Sequence, residues 1–201
     1  KIGKVSSFCY LGDQLSADWG VELAVRNRIK SAWNKWRQLG GLLSHRSLSL
    51  LVKKRLYETC IRPSLLYGSE TWSLKGSDVK KLVSTECRML RRIFKISWMD
   101  FVSNDMAKKR MGIQSIEKYL KENRLRWFDH VERRENSHLV KRVRDMEICD
   151  TRGRGRPKLS WRSLIEKDLR AWGLRAEDAV NRERWRASIK SQTPLSGICG
   201  L

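Results

Sequence analysis

Apolar residues spaced three and four positions apart are the feature of this 201-residue chain that most restricts its fold. On a helix this spacing collects them on one face, whereas a half-buried strand would alternate them with polar residues. The pattern extends from Val21 to Ile189, and no apolar run reaches the ~20 residues that a helix needs to cross a bilayer. We therefore predict an all-α protein, preceded by a short strand or turn at residues 8–12.

Capping residues, glycines and a proline divide the pattern into helices. The first is expected from a cap at Asp18 to Gly40-Gly41, the second from about Ser47, and the third over about 77–95. Pro63 has no N–H to donate, so we expect a kink or break there. Three antiparallel helices of this length would form a compact, thumb-like bundle. The second should bury Leu48, Leu51, Val52, Leu56 and Cys60.

A second cluster of shorter helices is predicted after residue 97. The first two, a brief helix capped by Ser103 or Asn104 and a longer one capped by Ser115, are joined at Gly112. They have the outline of a helix-turn-helix, although most such pairs are simply packed helices. After a linker over 151–158, helices are expected over 160–172, ending at Gly173, and over about 176–190.

The charge of the chain points to its class of partner. There are 43 Lys and Arg against 22 Asp and Glu, for a net charge of +21. A folded protein this basic repels itself unless it binds a polyanion. Nucleic acid is the polyanion that we expect, with an anionic membrane surface or a merely solvated basic face as the alternatives.

The linker contains Arg154-Gly155-Arg156-Pro157, which matches the short core of an AT-hook. In a hook the two arginines enter a narrow A·T minor groove, whereas a plain basic linker would contact phosphates without sequence preference. Both interpretations stay open for the linker cations Arg152, Arg154, Arg156 and Lys158. Other cations lie on predicted helices with few acids among them. We expect phosphate contacts from Lys53, Lys54, Arg88, Arg91, Arg92, Lys95, Arg124 and Arg126.

Nothing in the sequence nominates an active site or a metal site. A polymerase holds Mg²⁺ on close aspartates, but here the candidate carboxylates are single or, as with Glu166 and Asp168, two apart on a predicted helix. We expect these acids to serve as caps and ion-pair partners. The five cysteines and three histidines show no zinc-ligand spacing. We expect His130 to pack near Trp127, and most of the nine tryptophans to lie in the core.

Several blocks, in order, resemble the end of the reverse transcriptase of LINE-type (non-LTR) retrotransposons. The most specific is RPSLLYGSETW at residues 62–72, preceded by FCYLG at 8–12. Further on, RLRW at 124–127, GRGRPK at 153–158 and the pair Trp185-Arg186 are similar to motifs downstream of that domain. The resemblance covers nearly the whole chain.

The resemblance implies that successive segments of this chain correspond to different parts of a longer parent protein. Residues 1–17 would connect to a missing palm, 18–97 would be the thumb, and 98–150 would be a helix pair of the C-terminal extension. The basic linker would span 151–159, a terminal helix pair 160–192 and a frayed tail 193–201. The palm would hold the catalytic aspartates and Mg²⁺, since no part of this sequence matches them. Three positions depart from the family pattern: Phe101, Asp129 and Asn181.

We therefore expect a DNA- or RNA-binding segment that grips template–primer or target duplex, with no enzyme activity or cofactor of its own. Such a protein would be intracellular and nuclear, with the rest of the parent reverse transcriptase as a partner and no membrane. The alternative is a stand-alone or domesticated DNA-binding protein that uses the Arg154–Pro157 core and the helix-turn-helix-like pair.

Overall fold

A computed structural model describes residues 6–10, 13–16, 20–146 and 159–191. It begins with an antiparallel hairpin of β1 (Ser7–Tyr10) and β2 (Asp13–Ser16). The other regular elements in these ranges are helical, which confirms the all-α prediction. The helices are α1 (Glu22–Ser44), α2 (Leu50–Leu56), α3 (Arg62–Leu66), α4 (Gly76–Ile93), α5 (Asn104–Met111), α6 (Ile116–Glu132), α7 (Leu139–Asp145), α8 (Trp161–Trp172) and α9 (Arg182–Ser191).

The chain divides into two compact units, Lys1–Tyr119 and Leu120–Leu201. The sequence resemblance places a boundary at residue 97 instead. In the structure α5 packs against α4, so the shorter helix stays with the first unit. Each unit has a buried apolar core of its own.

In the first unit α1 packs against α3 and α4. The buried side chains recur at helical spacing, as the sequence predicts. They include Val25, Ala32 and Trp36 on α1, and Leu82, Met89, Leu90 and Ile93 on α4.

The first helix does not end at Gly40-Gly41 as predicted. It continues to Ser44, because Leu43 is fully buried and this packing outweighs the low helix propensity of glycine. A Cβ on Gly40 would lie 3.7 Å from the indole nitrogen of Trp36, so the backbone passes close to that ring. The helix begins at Glu22, and Asp18, its predicted cap, lies outside the described residues.

A π-helical segment, Tyr57–Ile61, joins α2 directly to α3. The helix is therefore not broken at Pro63 as predicted. Pro63 lies in the first turn of α3, where a missing N–H is tolerated. The wider π turn also changes which face is inward. The buried stripe is Tyr57, Ile61 and Leu65, whereas Leu51 is 76 % exposed, so the predicted burial of Leu51 and Val52 is wrong.

The predicted caps of the following helices are confirmed. Ser103 Oγ accepts from the Met106 N–H, and Ser115 Oγ accepts from the Lys118 N–H. Gly112 ends α5 in the left-handed conformation, at φ 65°. Such local signals act within four residues and need no tertiary partner.

The second unit packs α6, α8 and α9 around Trp185, whose indole nitrogen donates to the Leu125 carbonyl over 3.2 Å. Ser160 caps α8 and Gly173 ends it, as predicted. The last predicted helix is two pieces, the 3-10 turn Ala176–Val180 and α9, because the Asn181 side chain caps α9 by accepting from the Arg184 N–H. The helical pattern did not predict α7. The core residues are Leu125, Phe128, Ile165, Trp172, Ala179, Trp185 and Ile189.

Candidate nucleic-acid interface

The four basic residues predicted on α4 have different environments. Arg88, Arg92 and Lys95 are exposed. Arg91 is half-buried and donates to the carbonyls of Val102 and Ser97, so it fastens the loop after α4. The spacing of Arg88 and Arg92 places these two cations on one stripe of the helix, and Lys95 follows just after the helix ends at Ile93.

Arg92 connects this stripe to α1 through a contact with Trp33. Its guanidinium lies over the ring of Trp33, 4.8 Å from the ring centre. Trp33 is half-buried, and its other neighbour is Trp36, with ring centres 6.1 Å apart in an edge-to-face arrangement. This cation–π contact fixes the position of the Arg92 side chain while its charge stays at the surface.

A second contact aligns the two helices. Lys81 of α4 donates to the Glu22 carboxylate of α1 over 3.0 Å, and Arg26 donates to the same carboxylate over 2.9 Å. Both hydrogen bonds lower the pKa of Glu22, and the one from Lys81 contributes more than the one from Arg26. Trp33 follows Glu22 by 11 residues and Arg92 follows Lys81 by 11. The helices therefore run side by side in the same direction over about 16 Å.

On α1 the same surface carries Lys30 and Arg37, three residues before and four after Trp33. Both are exposed. Neither cation is among the basic residues that the sequence predicts to contact phosphate. The signal was present, because residues 23–44 contain no Asp or Glu. A solvated helix face ordinarily mixes both signs of charge.

We call Lys30, Arg37, Arg88, Arg92 and Lys95 the α1–α4 basic face. The acids of α4, Asp78 and Glu86, are 3 % and 0 % exposed, so neither offsets its charge at the surface. Glu22, at one end, is already paired with two cations. The α1–α4 basic face is thus positively charged from one end to the other.

The predicted cluster on α2 is only partly available for contact. Lys54 donates to the Gly112 carbonyl and so joins α2 to the end of α5. Lys53 is half-buried, and its neighbour Arg55 is exposed. Of the two predicted residues, Lys54 has a structural contact that occupies its ammonium group.

In the second unit the prediction for Arg124 is wrong. Arg124 is 5 % exposed, and its Nε and Nη2 both lie 2.7 Å from Asp168 Oδ2. A phosphate cannot reach a guanidinium in the core. Asp168 is thereby the ion-pair partner that the sequence suggested. Arg126, two residues on, is exposed and lies 3.6 Å from Glu122.

Other polar residues of α6 are likewise engaged. His130 stacks on Trp127, with ring centres 5.3 Å apart, as predicted. Arg134 lies 3.3 Å from His130 Nε2. Asp129, one of the departures from the family pattern, is buried and pairs with Arg133.

The four linker cations Arg152, Arg154, Arg156 and Lys158 lie outside the described residues. Within 6–10, 13–16, 20–146 and 159–191, no group of His, Cys, Asp or Glu could hold a metal ion. No described helix is both long and apolar enough to cross a membrane.

Comparison with known proteins gives one distant relative. No protein-family model matches the chain, and no solved structure matches it significantly. An uncharacterized transposon-derived protein of Caenorhabditis elegans is 22 % identical over 212 residues, covering 98 % of this chain and 74 % of that protein. The chain is therefore similar, over nearly its whole length, to a protein of transposon origin.

Proposed function

We propose that the first unit binds the phosphate backbone of a nucleic acid through the α1–α4 basic face. The observation that carries this proposal is the side-by-side alignment of two helices whose exposed charges in this surface are all positive apart from Glu22. Duplex DNA carries one negative charge per ~1.7 Å of axis with both strands counted, so about 16 Å of duplex contains roughly ten phosphates, and those on the near side face the strip. The face therefore presents cations along a stretch of duplex that carries several phosphates.

The proposal explains why so much positive charge is tolerated. Like charges at neighbouring helical positions destabilise a folded protein unless an anion lies between them. Among the described residues, Arg92 is the one of the five that contacts a side chain of another helix, and that side chain is a neutral ring. Bound phosphates would remove the repulsion, with the release of counterions as a large part of the driving force.

The wider role that we propose is that of the C-terminal portion of a retrotransposon RNA-directed DNA polymerase. The block at residues 62–72 and the likeness to a transposon-derived protein support this role. In it this chain grips template–primer or target duplex in the nucleus. Catalysis and its Mg²⁺ would belong to a palm elsewhere in the parent protein.

The test compares two sets of three charge removals in the full chain. Lys30→Ala, Arg37→Ala and Arg88→Ala remove three charges from the basic face. Lys167→Ala, Arg184→Ala and Lys190→Ala remove three exposed charges from the second unit. Binding of a labelled duplex is measured at several salt concentrations. We expect the first set to reduce the slope of log K against log[salt] by about 3, since each phosphate contact contributes ~0.9.

The control set should leave that slope nearly unchanged and weaken binding only slightly. Equal losses from the two sets would show that binding follows overall charge rather than this face. A wild-type slope near zero would remove the proposal altogether. Circular dichroism of both variants checks that the helices are intact, which we expect because all six side chains are exposed.

A further inference from the structure

The loop between α4 and α5, residues 97–103, has a fixed shape. It begins with a single 3-10 turn, Trp98–Asp100, closed by a capping box. Ser97 Oγ accepts from the Met99 N–H over 3.3 Å, and the Asp100 carboxylate accepts from the Ser97 N–H over 2.5 Å. Ser103 then caps α5. At each end of the loop, backbone N–H groups therefore donate to side chains of the loop itself.

Arg91 holds this loop against α4. Its Nη1 donates to the Val102 carbonyl over 2.7 Å, and its Nη2 donates to the Ser97 carbonyl. One planar guanidinium thus joins the two ends of the loop, which restricts their separation. The residues between them, 98–101, are presented on a closed and supported turn rather than on a free strand.

The side chain at the tip of this turn is Phe101, and it is 100 % exposed. Its φ of 47° lies in the left-handed region, which an aromatic residue rarely adopts. Met99, two residues earlier, is 63 % exposed. Such backbone conformations persist where the surrounding structure imposes them and occur frequently at ligand-binding positions. Here the Arg91 contacts and the capping box impose the conformation.

The surroundings of Phe101 in the chain are basic. Lys95, itself at φ 56°, and Arg92 precede it on the α1–α4 basic face. The only acid between Arg88 and Phe101 is Asp100, whose carboxylate is engaged by the Ser97 N–H. An uncovered aromatic ring that follows a row of cations is the combination found in proteins that bind single strands, where phosphates follow the cations and bases stack on the ring.

We propose that Phe101 stacks on an unpaired base of a nucleic acid whose phosphates lie along the α1–α4 basic face. This inference rests on the proposed function and adds the feature that is recognised: the junction where paired strands give way to an unpaired one. Stacking an unpaired base needs only one free face of the ring. Wedging the ring into a duplex would require breaking a base step as well, at a few kcal/mol per step.

The test uses two DNA probes, a blunt duplex and the same duplex with a single-stranded overhang that carries the fluorescent base 2-aminopurine. Phe101→Ala should weaken binding of the overhang probe about 5- to 150-fold, equivalent to ~1–3 kcal/mol per stacked base. It should change blunt-duplex binding by less than about twofold, since stacking of an unpaired base is the only contact it removes. The change in 2-aminopurine emission seen with wild type should disappear.

Two further variants separate stacking from general apolar contact. Phe101→Trp should retain overhang binding, while Phe101→Leu, which is apolar but has no aromatic face, should lose it. Leu51→Ala, at another exposed apolar residue of the first unit, should leave both probes unaffected. Because Phe101 is fully exposed, none of its variants should disturb folding.

Each outcome is decisive. If Phe101→Ala binds the overhang probe as wild type does, the stacking inference is wrong, while salt-dependent duplex binding keeps the proposed function. If the variant loses affinity equally for both probes, Phe101 acts on paired DNA and the inference is overturned. If wild type binds neither probe, the proposed function fails as well.

Discussion

Each unit of this protein contains an arginine–carboxylate ion pair that is almost wholly buried. The two pairs differ in the number and length of the hydrogen bonds that their charged atoms form. In the second unit, Arg124 directs Nε and Nη2 to Asp168 Oδ2 at 2.7 Å. In the first, Arg62 donates to Glu86 Oε1 over 3.1 Å and also to the Gln114 carbonyl. Among the described residues the Arg62–Glu86 pair thus belongs to a larger network, whereas the two short contacts of Arg124 converge on one oxygen of Asp168.

The Arg62 network extends to two tyrosines. Tyr57, in the π segment, donates to Glu86 Oε1 over 3.0 Å, and the Arg62 guanidinium lies 5.2 Å from the ring centre of Tyr119. Within the described residues, Glu86 Oε2 and Arg62 Nε are buried without a hydrogen-bond partner. Burial therefore raises the pKa of Glu86 despite the opposing charge of Arg62. Burial also raises the pKa of Tyr57.

Burial alone therefore does not determine how an ion pair affects the stability of a fold. A compact pair with short contacts fixes the register of the helices that it joins, here α6 and α8. A network with unpartnered atoms keeps a carboxyl group that can gain a proton when its partner is weakened. We therefore expect the loss of Arg62 to make the stability of the first unit depend more strongly on pH, through Glu86.

The largest expected effect is at Arg124. Arg124→Met would leave the Asp168 carboxylate buried without its partner, which destabilises a protein by about 3–5 kcal/mol. Hydrogen exchange of the full chain, read at the amides of α6 and α8, localises the loss to the second unit. The double variant Arg124→Met/Asp168→Leu should recover most of the stability, because it removes the charge as well. No recovery would mean that the arginine acts through packing.

The next effect is at Arg62. Arg62→Met should destabilise the first unit by about 2–3 kcal/mol near neutral pH, less than at Arg124, because Tyr57 still donates a hydrogen bond to Glu86 Oε1. The measurement is again hydrogen exchange, read at α3 and α4, at several pH values. A loss as large as that of Arg124→Met, and independent of pH, would show that the two pairs are equivalent.

The sign of this pH dependence follows from the raised pKa of Glu86. The folded state holds a proton at pH values where the unfolded chain has released it, so this group makes stability fall as pH rises from the unfolded pKa to the folded one. Acidification toward the ordinary range of a glutamate should therefore stabilise the first unit through Glu86. The dependence should be greater in Arg62→Met, which lacks the opposing charge, and absent in Glu86→Gln.

The smallest effect concerns two glycines that end helices, Gly112 in the first unit and Gly173 in the second. Their φ angles are 65° and 62°, so alanine at either position is strained by about 1–2 kcal/mol. A Cβ on Gly173 would meet nothing within 4 Å, and one on Gly112 would meet Lys54 Nζ at 3.5 Å, an ordinary contact. We expect equal losses in denaturant unfolding. A larger loss in Gly112→Ala would show that the Lys54 contact stabilises the first unit.

Helix positions were largely predictable from the sequence, because the signals are local. Ser103, Ser115 and Ser160 cap helices where expected, and Gly112 and Gly173 end them. The errors came where a distant partner overrides the local preference. Leu43 extends α1 past two glycines, and the π segment turns Leu51 to the surface.

The candidate interface was predictable in part. The α4 cations were found by their spacing, and Lys30 and Arg37 would have been found by the lack of acids in residues 23–44. The exposure of Phe101 could not be predicted, because the apolar residues of this loop show no periodicity that would indicate which of them is buried. Its position depends on Arg91, ten residues earlier.

Local patterns along the chain are enough to predict that it is helical, strongly basic and divided at its caps and glycines. Which arginines are buried depends on the packing of the helices. Arg62 and Arg124 meet carboxylates 24 and 44 residues away, whereas Arg88 and Arg92 meet none and stay at the surface. Charge is a property of each residue, but burying a charge requires a partner that only folding brings within reach.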